Sequence, residues 1–132
     1  ENLVSKFLKE FCEENQNFSY IEQATQKRIK DIIVLYKNSR RFDFALYNKS
    51  NKKIYLIEVN YYIGGGSKLK ETTGEYKYLY DFLKAQYIHF IWITDGKGWL
   101  TSLNSLEETF VHNDYVINLE MLKNDILKEI IK

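Results

Sequence analysis

The sequence predicts an α/β fold in which a mixed β-sheet is flanked by helices, and three observations support this prediction. Stretches with the apolar spacing of an amphipathic helix alternate along the chain with short runs rich in β-branched and aromatic residues. Two of those runs are joined by a polar turn, as in a hairpin. Another is a nearly continuous apolar run, typical of a strand covered on both faces. Such an order of elements is typical of a sheet with helices packed against it.

The first half of the chain is predicted to form two helices and then two antiparallel strands. A helical apolar stripe indicates the first helix, and Ser19 with Glu22 three residues later makes a capping-box pattern that opens the second. Strict two-residue alternation indicates the first strand, in which Asp43 opposes the phenylalanines on either side of it. The predicted ranges are 2–14 and 19–33 for the helices and 41–47 and 54–62 for the strands.

The second half is predicted to form a long helix, a buried strand, a short helix, a short strand and a closing helix. Ser105 with Glu108 is the capping pattern of the short helix, and Asn118 is the expected cap of the closing helix. Trp92 and Trp99 are expected to be core side chains. The predicted ranges are 68–85 for the long helix, 88–94 for the buried strand, 115–117 for the short strand and about 119–130 for the closing helix.

Length and composition predict one folded domain over residues 1–132. Hydrophobic residues make up 45% and aromatic residues 16%, which excludes a disordered or low-complexity chain. The single cysteine, Cys12, cannot form an internal disulfide, and no apolar run reaches the ~18 residues that a membrane span needs. A cytoplasmic protein that does not span a membrane is therefore expected. The abrupt start at Glu1 suggests a fragment of a longer chain.

The charges are unevenly distributed although their sum is only +1. Basic residues dominate 27–41, whereas acidic residues dominate 106–120, where there is no Lys or Arg. The basic stretch is a candidate surface for phosphate groups, although solvated surface charges explain it about equally well. The candidate DNA-binding residues of this stretch are Lys27, Arg28, Lys30, Arg40 and Arg41.

Asp43 and Glu58 are the candidate metal ligands. Each is a carboxylate within an apolar strand sequence, where burial costs several kcal/mol unless a cation or hydrogen-bond donors meet it. The hairpin brings the two strands together, and two neighbouring acids repel unless something positive lies between them. Mg²⁺ accepts one or two carboxylates and completes its shell with water and phosphate oxygens. For either acid alone, a salt bridge to Arg40, Arg41 or a nearby lysine is the simpler explanation.

The glycine-rich segment 64–68 precedes the long helix. Glycines let backbone N–H groups approach an anion at a helix N-terminus, so Ser67 and its neighbours are candidates for phosphate contact. The spacing is not that of a nucleotide-binding Walker A motif. A flexible connection is the alternative interpretation.

Four blocks of the sequence resemble DpnII/MboI-type restriction endonucleases, in order and in spacing. They are Arg40-Arg-Phe-Asp-Phe-Ala, Ile54-Tyr-Leu-Ile-Glu-Val-Asn-Tyr-Tyr, Gly65-Gly-Ser-Lys-Leu-Lys-Glu and Trp92-Ile-Thr-Asp-Gly-Lys-Gly-Trp. The resemblance extends over about residues 20–119. Four blocks in a common order are far more specific than any single motif.

The resemblance implies a PD-(D/E)xK nuclease fold, the restriction-endonuclease-like form of a mixed β-sheet flanked by helices, with Asp43 as the first acid and Glu58 as the second. Phe42 replaces the proline of that pattern, and Asn60 stands where its catalytic lysine is expected. Lys68 is the first candidate to supply the missing cation, and Lys70 is the second. A further acid of such nucleases comes from a helix before the strands. Glu22 is the candidate for that position, unless it only completes the capping box.

The function implied by the resemblance is Mg²⁺-dependent cleavage of double-stranded DNA at a short palindrome, with GATC expected, by a type II restriction endonuclease. Two-fold symmetry of the DNA favours a homodimer. Two alternatives stay open. One is a DNA-binding module that has lost catalysis, which the presence of Asn60 in place of the lysine favours. The other is a repair or junction-resolving nuclease with the same fold.

Overall fold

The computed structural model describes residues 2–25 and 41–132, and the chain divides into two compact units, Glu1–Glu58 and Val59–Lys132. The strands are β1 (Phe18–Thr25), β2 (Arg41–Asn48), β3 (Ile54–Tyr61), β4 (His89–Asp95) and β5 (Tyr115–Ile117). The helices are α1 (Asn2–Glu14), α2 (Ser67–Lys84), α3 (Leu103–His112), α4 (Leu119–Lys123) and α5 (Ile126–Ile130), with a 3₁₀ helix at Lys97–Thr101.

The strands follow the order β1-β2-β3-β4-β5 in one sheet. The β1–β2 and β2–β3 pairs are antiparallel, and β4 and β5 are parallel. Both kinds of pairing occur, so the sheet is mixed. The predicted α/β class is confirmed.

In the first unit, α1 packs on β1 through one apolar face. Val4 and Leu8 have no exposed surface, and the ring of Phe11 meets that of Phe18 edge to face at a centroid distance of 5.0 Å. Spacings of three and four residues place these helix side chains on one face. The predicted first helix is confirmed at both ends.

The predicted second helix is wrong where the structure describes it, because residues 18–25 form strand β1. Ser19 pairs with Tyr47 and Glu22 with Phe44 across β2, so the backbone hydrogen bonds of this segment belong to a sheet ladder. The capping-box pattern depends on two residues, whereas the ladder pairs seven residues of β1 with residues of β2. Residues 26–33, the rest of the predicted helix, lie outside the described residues.

The hairpin between β2 and β3 is confirmed, and Asn48 organises its turn. The Asn48 side-chain oxygen accepts a hydrogen bond from the backbone N–H of Ser50 at 2.9 Å. Lys52 adopts a left-handed φ of 67° that reverses the chain. Both strand ranges agree with the prediction to within one residue.

In the second unit, α2 covers β4. The side chains at the predicted helical spacing are buried: Leu69, Tyr76, Leu79, Tyr80 and Leu83. All five central residues of β4 are buried, which confirms that this strand is covered on both faces. The predicted helix and strand ranges are confirmed to within one residue at each end.

Two predicted helix boundaries near the C-terminus are wrong. Helix α3 begins at Leu103, so Ser105 lies inside it and is not its cap. Asn118 does cap α4, since its side-chain oxygen accepts from the Met121 backbone N–H at 2.9 Å. The closing helix is nevertheless broken in two, because Asp125 adopts a left-handed φ of 62° between α4 and α5.

Among the helices in the described part of the chain, none is both long enough and apolar enough to cross a membrane.

Candidate active site

Asp43 and Glu58 lie on neighbouring strands at equivalent heights. The β2–β3 register pairs Phe44 with Ile57, Ala45 with Leu56 and so on along the hairpin. Both strands extend beyond the Phe44–Ile57 pair, and the register continued by one residue sets Asp43 opposite Glu58. Directly opposed residues of antiparallel strands share a face and have Cβ atoms about 4.5–5.5 Å apart. The two carboxylates therefore belong to one face of the hairpin, as a shared ion requires.

Burial raises the electrostatic cost of placing these two negative charges side by side. Glu58 is only 8% exposed, and Asp43 is partly buried. Placing two like charges in a poorly solvated strand pair favours binding of a cation between them. Both side chains also make interactions within the protein.

The donor set fits a small hard cation. In residues 2–25 and 41–132, no group of three or more His, Cys, Asp or Glu side chains is placed to hold a metal ion. Mg²⁺ needs no such cage, since it keeps several water molecules and takes one or two carboxylates. Asp43 and Glu58 meet that requirement, whereas a zinc site would need more protein ligands.

Glu22 is separated from this pair. It lies on a strand and not on a helix, and its partner across β2 is Phe44. Since side chains alternate along β2, Glu22 lies on the face of Phe44, and Asp43 lies on the other face. The Glu22 carboxylate accepts a hydrogen bond of 2.7 Å from the Ser5 hydroxyl of α1. This geometry gives Glu22 a role in joining α1 to β1.

Asn60 follows Glu58 by two residues in β3 and is held by Trp92 of β4. The indole N–H of Trp92 donates to the side-chain oxygen of Asn60 at 2.6 Å. Trp92 has no exposed surface, and Asn60 is partly exposed. The sequence predicts Trp92 only as a core side chain. A signal was present, since a buried indole N–H needs an acceptor.

The glycine-rich segment is bound to the turn that follows β4. The Gly98 N–H donates to the Tyr62 carbonyl at 2.9 Å, and a Cβ atom on Gly98 would clash with the Gly64 carbonyl oxygen. A Cβ atom on Gly65 would clash with the Thr101 side chain. The glycines therefore permit close packing of two chain segments, which is a structural reason for this motif.

Ser67, Lys68 and Lys70 lie in the first turn of α2, and all three are exposed. No side chain caps this helix end. Backbone N–H groups at such an end favour anions. The phosphate-binding role of Ser67 and the catalytic roles of Lys68 and Lys70 stay predictions.

Asp95, within the fourth sequence block, is a structural carboxylate. One of its oxygens accepts from the Gly96 N–H at 2.8 Å, and the other accepts from the Leu119 N–H at 3.1 Å. Its two acceptors hold the turn after β4 to the start of α4. This accounts for the acid of that block without a metal.

Among the predicted phosphate-binding residues, Arg41 is described, and it is an exposed residue at the start of β2. Lys27, Arg28, Lys30 and Arg40 lie outside the described residues. Their phosphate contacts stay predictions.

Comparison with known proteins gives a match along nearly the whole chain. The model of the DpnII restriction endonuclease family matches residues 1–129. The chain is 50% identical over 137 residues to the type II restriction enzyme MjaIII of Methanocaldococcus jannaschii, covering 99% of the chain and 47% of the relative. It is 43% identical over 136 residues to the type II restriction enzyme LlaDCHI of Lactococcus lactis subsp. cremoris, covering 98% of the chain and 43% of the relative.

The chain thus spans less than half the length of these curated relatives. Among solved structures, it is similar to the MunI restriction endonuclease in complex with cognate DNA, with a TM-score of 0.53 and 14% identity. That match covers 89% of the chain and 80% of the MunI chain. It shows a shared fold.

Proposed function

Because the chain belongs to the DpnII restriction endonuclease family, we propose that the protein is a cytoplasmic type II restriction endonuclease that hydrolyses both strands of DNA with Mg²⁺. The observation that carries this proposal is the β2–β3 register, in which Phe44 pairs with Ile57. Continued by one residue on each strand, this register sets Asp43 opposite Glu58 on one face of the hairpin. GATC is the expected site from the family resemblance. A homodimer is the simplest assembly for a palindrome, since two-fold DNA symmetry is matched by two-fold protein symmetry.

Asp43 and Glu58 would hold the metal ion through their carboxylate oxygens. When bound, Mg²⁺ supplies Lewis-acid polarisation of the phosphodiester and lowers the pKa of a water molecule. The burial of Glu58 keeps its carboxylate in a poorly solvated environment, where attraction to a cation is stronger than in water. A carboxylate opposite another also makes the site selective for positive charge over neutral ligands.

Cationic side chains of the chain would orient the DNA and stabilise charge on the phosphate. Arg41, exposed at the start of β2, is suited to a phosphate contact, because its guanidinium presents several N–H donors. Lys68 is the first candidate for the cation that assists cleavage, with Lys70 as the second. Both lie on an exposed helix turn with long, unburied side chains.

The test is digestion of plasmid DNA by the intact protein with Mg²⁺. Discrete fragments that match the GATC positions support the proposal, and the same fragments should be absent with EDTA. Asp43→Asn should abolish cleavage, whereas Glu107→Gln, a change of the same kind at an exposed residue of α3, should not. Retained DNA binding without cleavage would indicate a binding module. Cleavage without discrete fragments would indicate a repair or junction-resolving nuclease.

A further inference from the structure

The bond between Trp92 and Asn60 fixes which way the Asn60 amide points. An indole N–H is a donor only, so it can meet the amide oxygen and not the amide nitrogen. The 2.6 Å separation of Trp92 Nε1 and Asn60 Oδ1 is short for a bond between neutral groups. The Asn60 Nδ2 group, with its two N–H donors, therefore points away from Trp92.

Trp92 is itself firmly held. Its ring meets Tyr76 edge to face at a centroid distance of 4.9 Å and Trp99 at 5.6 Å. The indole has no exposed surface, so a change of its rotamer would require the packed side chains around it to move. The rigid partner in the bond is the indole, and the partly exposed amide is the group being oriented.

Asn60 belongs to the same strand, β3, as one acid of the candidate site. Asn60 follows Glu58 by two residues, and residues two apart in a strand share a face. An amide nitrogen there offers hydrogen bonds to an anionic oxygen without adding charge. Fixed N–H donors of this kind stabilise oxygen atoms that gain negative charge during a reaction.

We propose that Trp92 is a positioning residue that fixes the Asn60 amide so that its Nδ2 group donates a hydrogen bond to an oxygen of the scissile phosphate. This role rests on the proposed function. It also gives a reason for the departure from the usual lysine. A lysine side chain has no acceptor, so it would leave the buried Trp92 N–H without a partner.

The protein offers a matched control for Trp92. Trp99 is 4% exposed, belongs to the same aromatic cluster, and donates its indole N–H to the Thr94 hydroxyl at 2.8 Å. Trp92→Phe and Trp99→Phe thus remove the same atoms from similar surroundings. Trp92→Phe also frees the Asn60 amide.

The experiment measures single-turnover cleavage of a duplex oligonucleotide by the intact protein, in a double-mutant cycle. Asn60→Ala should slow cleavage by roughly a hundredfold, the scale of one lost transition-state donor. Trp92→Phe should slow cleavage by about tenfold in the presence of Asn60, the scale of one lost hydrogen bond, and not at all in the Asn60→Ala background. Trp99→Phe should have the same small effect in both backgrounds.

Asn60→Asp tests the acceptor oxygen and the donor nitrogen of the amide separately. The introduced carboxyl keeps an oxygen for Trp92 but replaces the Nδ2 donors with an oxygen that donates only when protonated. Its cleavage rate relative to the wild-type protein should therefore fall as the pH rises. In NMR spectra, the Trp92 indole proton should keep a strongly hydrogen-bonded shift in this variant and move to higher field in Asn60→Ala.

Three results would overturn the proposal at different levels. An equal effect of Trp92→Phe on the cleavage rate with and without Asn60 would show that Trp92 acts only through packing. An indole shift unchanged in Asn60→Ala would exclude the hydrogen bond, whatever the activity. A wild-type protein that cleaves no DNA with Mg²⁺ would overturn the proposed function and, with it, this role of Asn60.

Discussion

Glu22 of β1 pairs with Phe44 of β2, and the Glu22 carboxylate accepts a hydrogen bond from the Ser5 hydroxyl of α1. This position separates it from the face that carries Asp43. We therefore expect Glu58→Gln, but not Glu22→Gln, to abolish the rise in melting temperature that Mg²⁺ or Ca²⁺ produces, because a ligand stabilises the fold only through the residues that bind it. Thermal denaturation with and without metal measures this. An equal rise in melting temperature with metal in both variants would show that Glu58 is not a metal ligand.

A second prediction concerns the lysines of α2. Lys68→Ala should lower the cleavage rate about a hundredfold or more while leaving DNA affinity nearly unchanged, because a cation that acts in the transition state contributes little to ground-state binding. Lys123→Ala, in the last turn of α4, is the control. If Lys70→Ala is slow and Lys68→Ala is not, the role belongs to Lys70. Wild-type rates in both would exclude a catalytic lysine from this helix turn.

A third prediction concerns Arg41 and the basic stretch before it. Neutralising one residue that contacts a phosphate lowers the slope of log affinity against log salt by about one, since one counterion fewer is released. Arg41→Gln should show this change with little loss of sequence preference. Lys128→Gln, at an exposed residue of α5, should leave the slope unchanged. Replacing Lys27, Arg28, Lys30, Arg40 and Arg41 together without any change in slope would show that they do not face DNA.

A fourth prediction concerns two glycines in the second unit. Gly96 has a φ of 115°, and a Cβ atom there would clash with the Tyr62 carbonyl oxygen. Gly96→Ala should therefore lower the free energy of unfolding by about 1–3 kcal/mol or more. Gly74 lies within α2 with nothing near its missing Cβ, so Gly74→Ala should raise the free energy of unfolding by about 1 kcal/mol. Urea denaturation of both variants measures these changes in the free energy of unfolding. Changes of the same sign in the two variants would contradict the prediction.

The parts of the fold that the sequence predicts well are those whose signal lies in many residues. The alternation in β2, the apolar run of β4 and the spaced apolar face of α2 each extend over most of an element, so burial and pattern agree. The helix prediction for the β1 segment is wrong because it depends on only two residues, Ser19 and Glu22. The register with β2 depends on residues far along the chain.

The candidate site divides in the same way. Asp43 and Glu58 could be predicted because an acid inside an apolar strand is visible in the sequence itself. The orientation of Asn60 depends on an indole 32 residues further along, and no local pattern connects the two. The sequence does not predict the helix break at Asp125, for a different reason. A single left-handed residue divides the helix there without any change in the apolar spacing.

The location of the tryptophans has a spectroscopic consequence. Both tryptophans of the chain, Trp92 and Trp99, are buried in Val59–Lys132, whereas Glu1–Glu58 has none. Selectively excited fluorescence therefore reports the unfolding of the second unit alone, and far-ultraviolet circular dichroism reports both. Coincident denaturation curves from the two probes would mean that the units unfold as one cooperative body. Separated curves would give each unit its own stability, so that a variant's effect could be assigned to the half of the chain in which it acts.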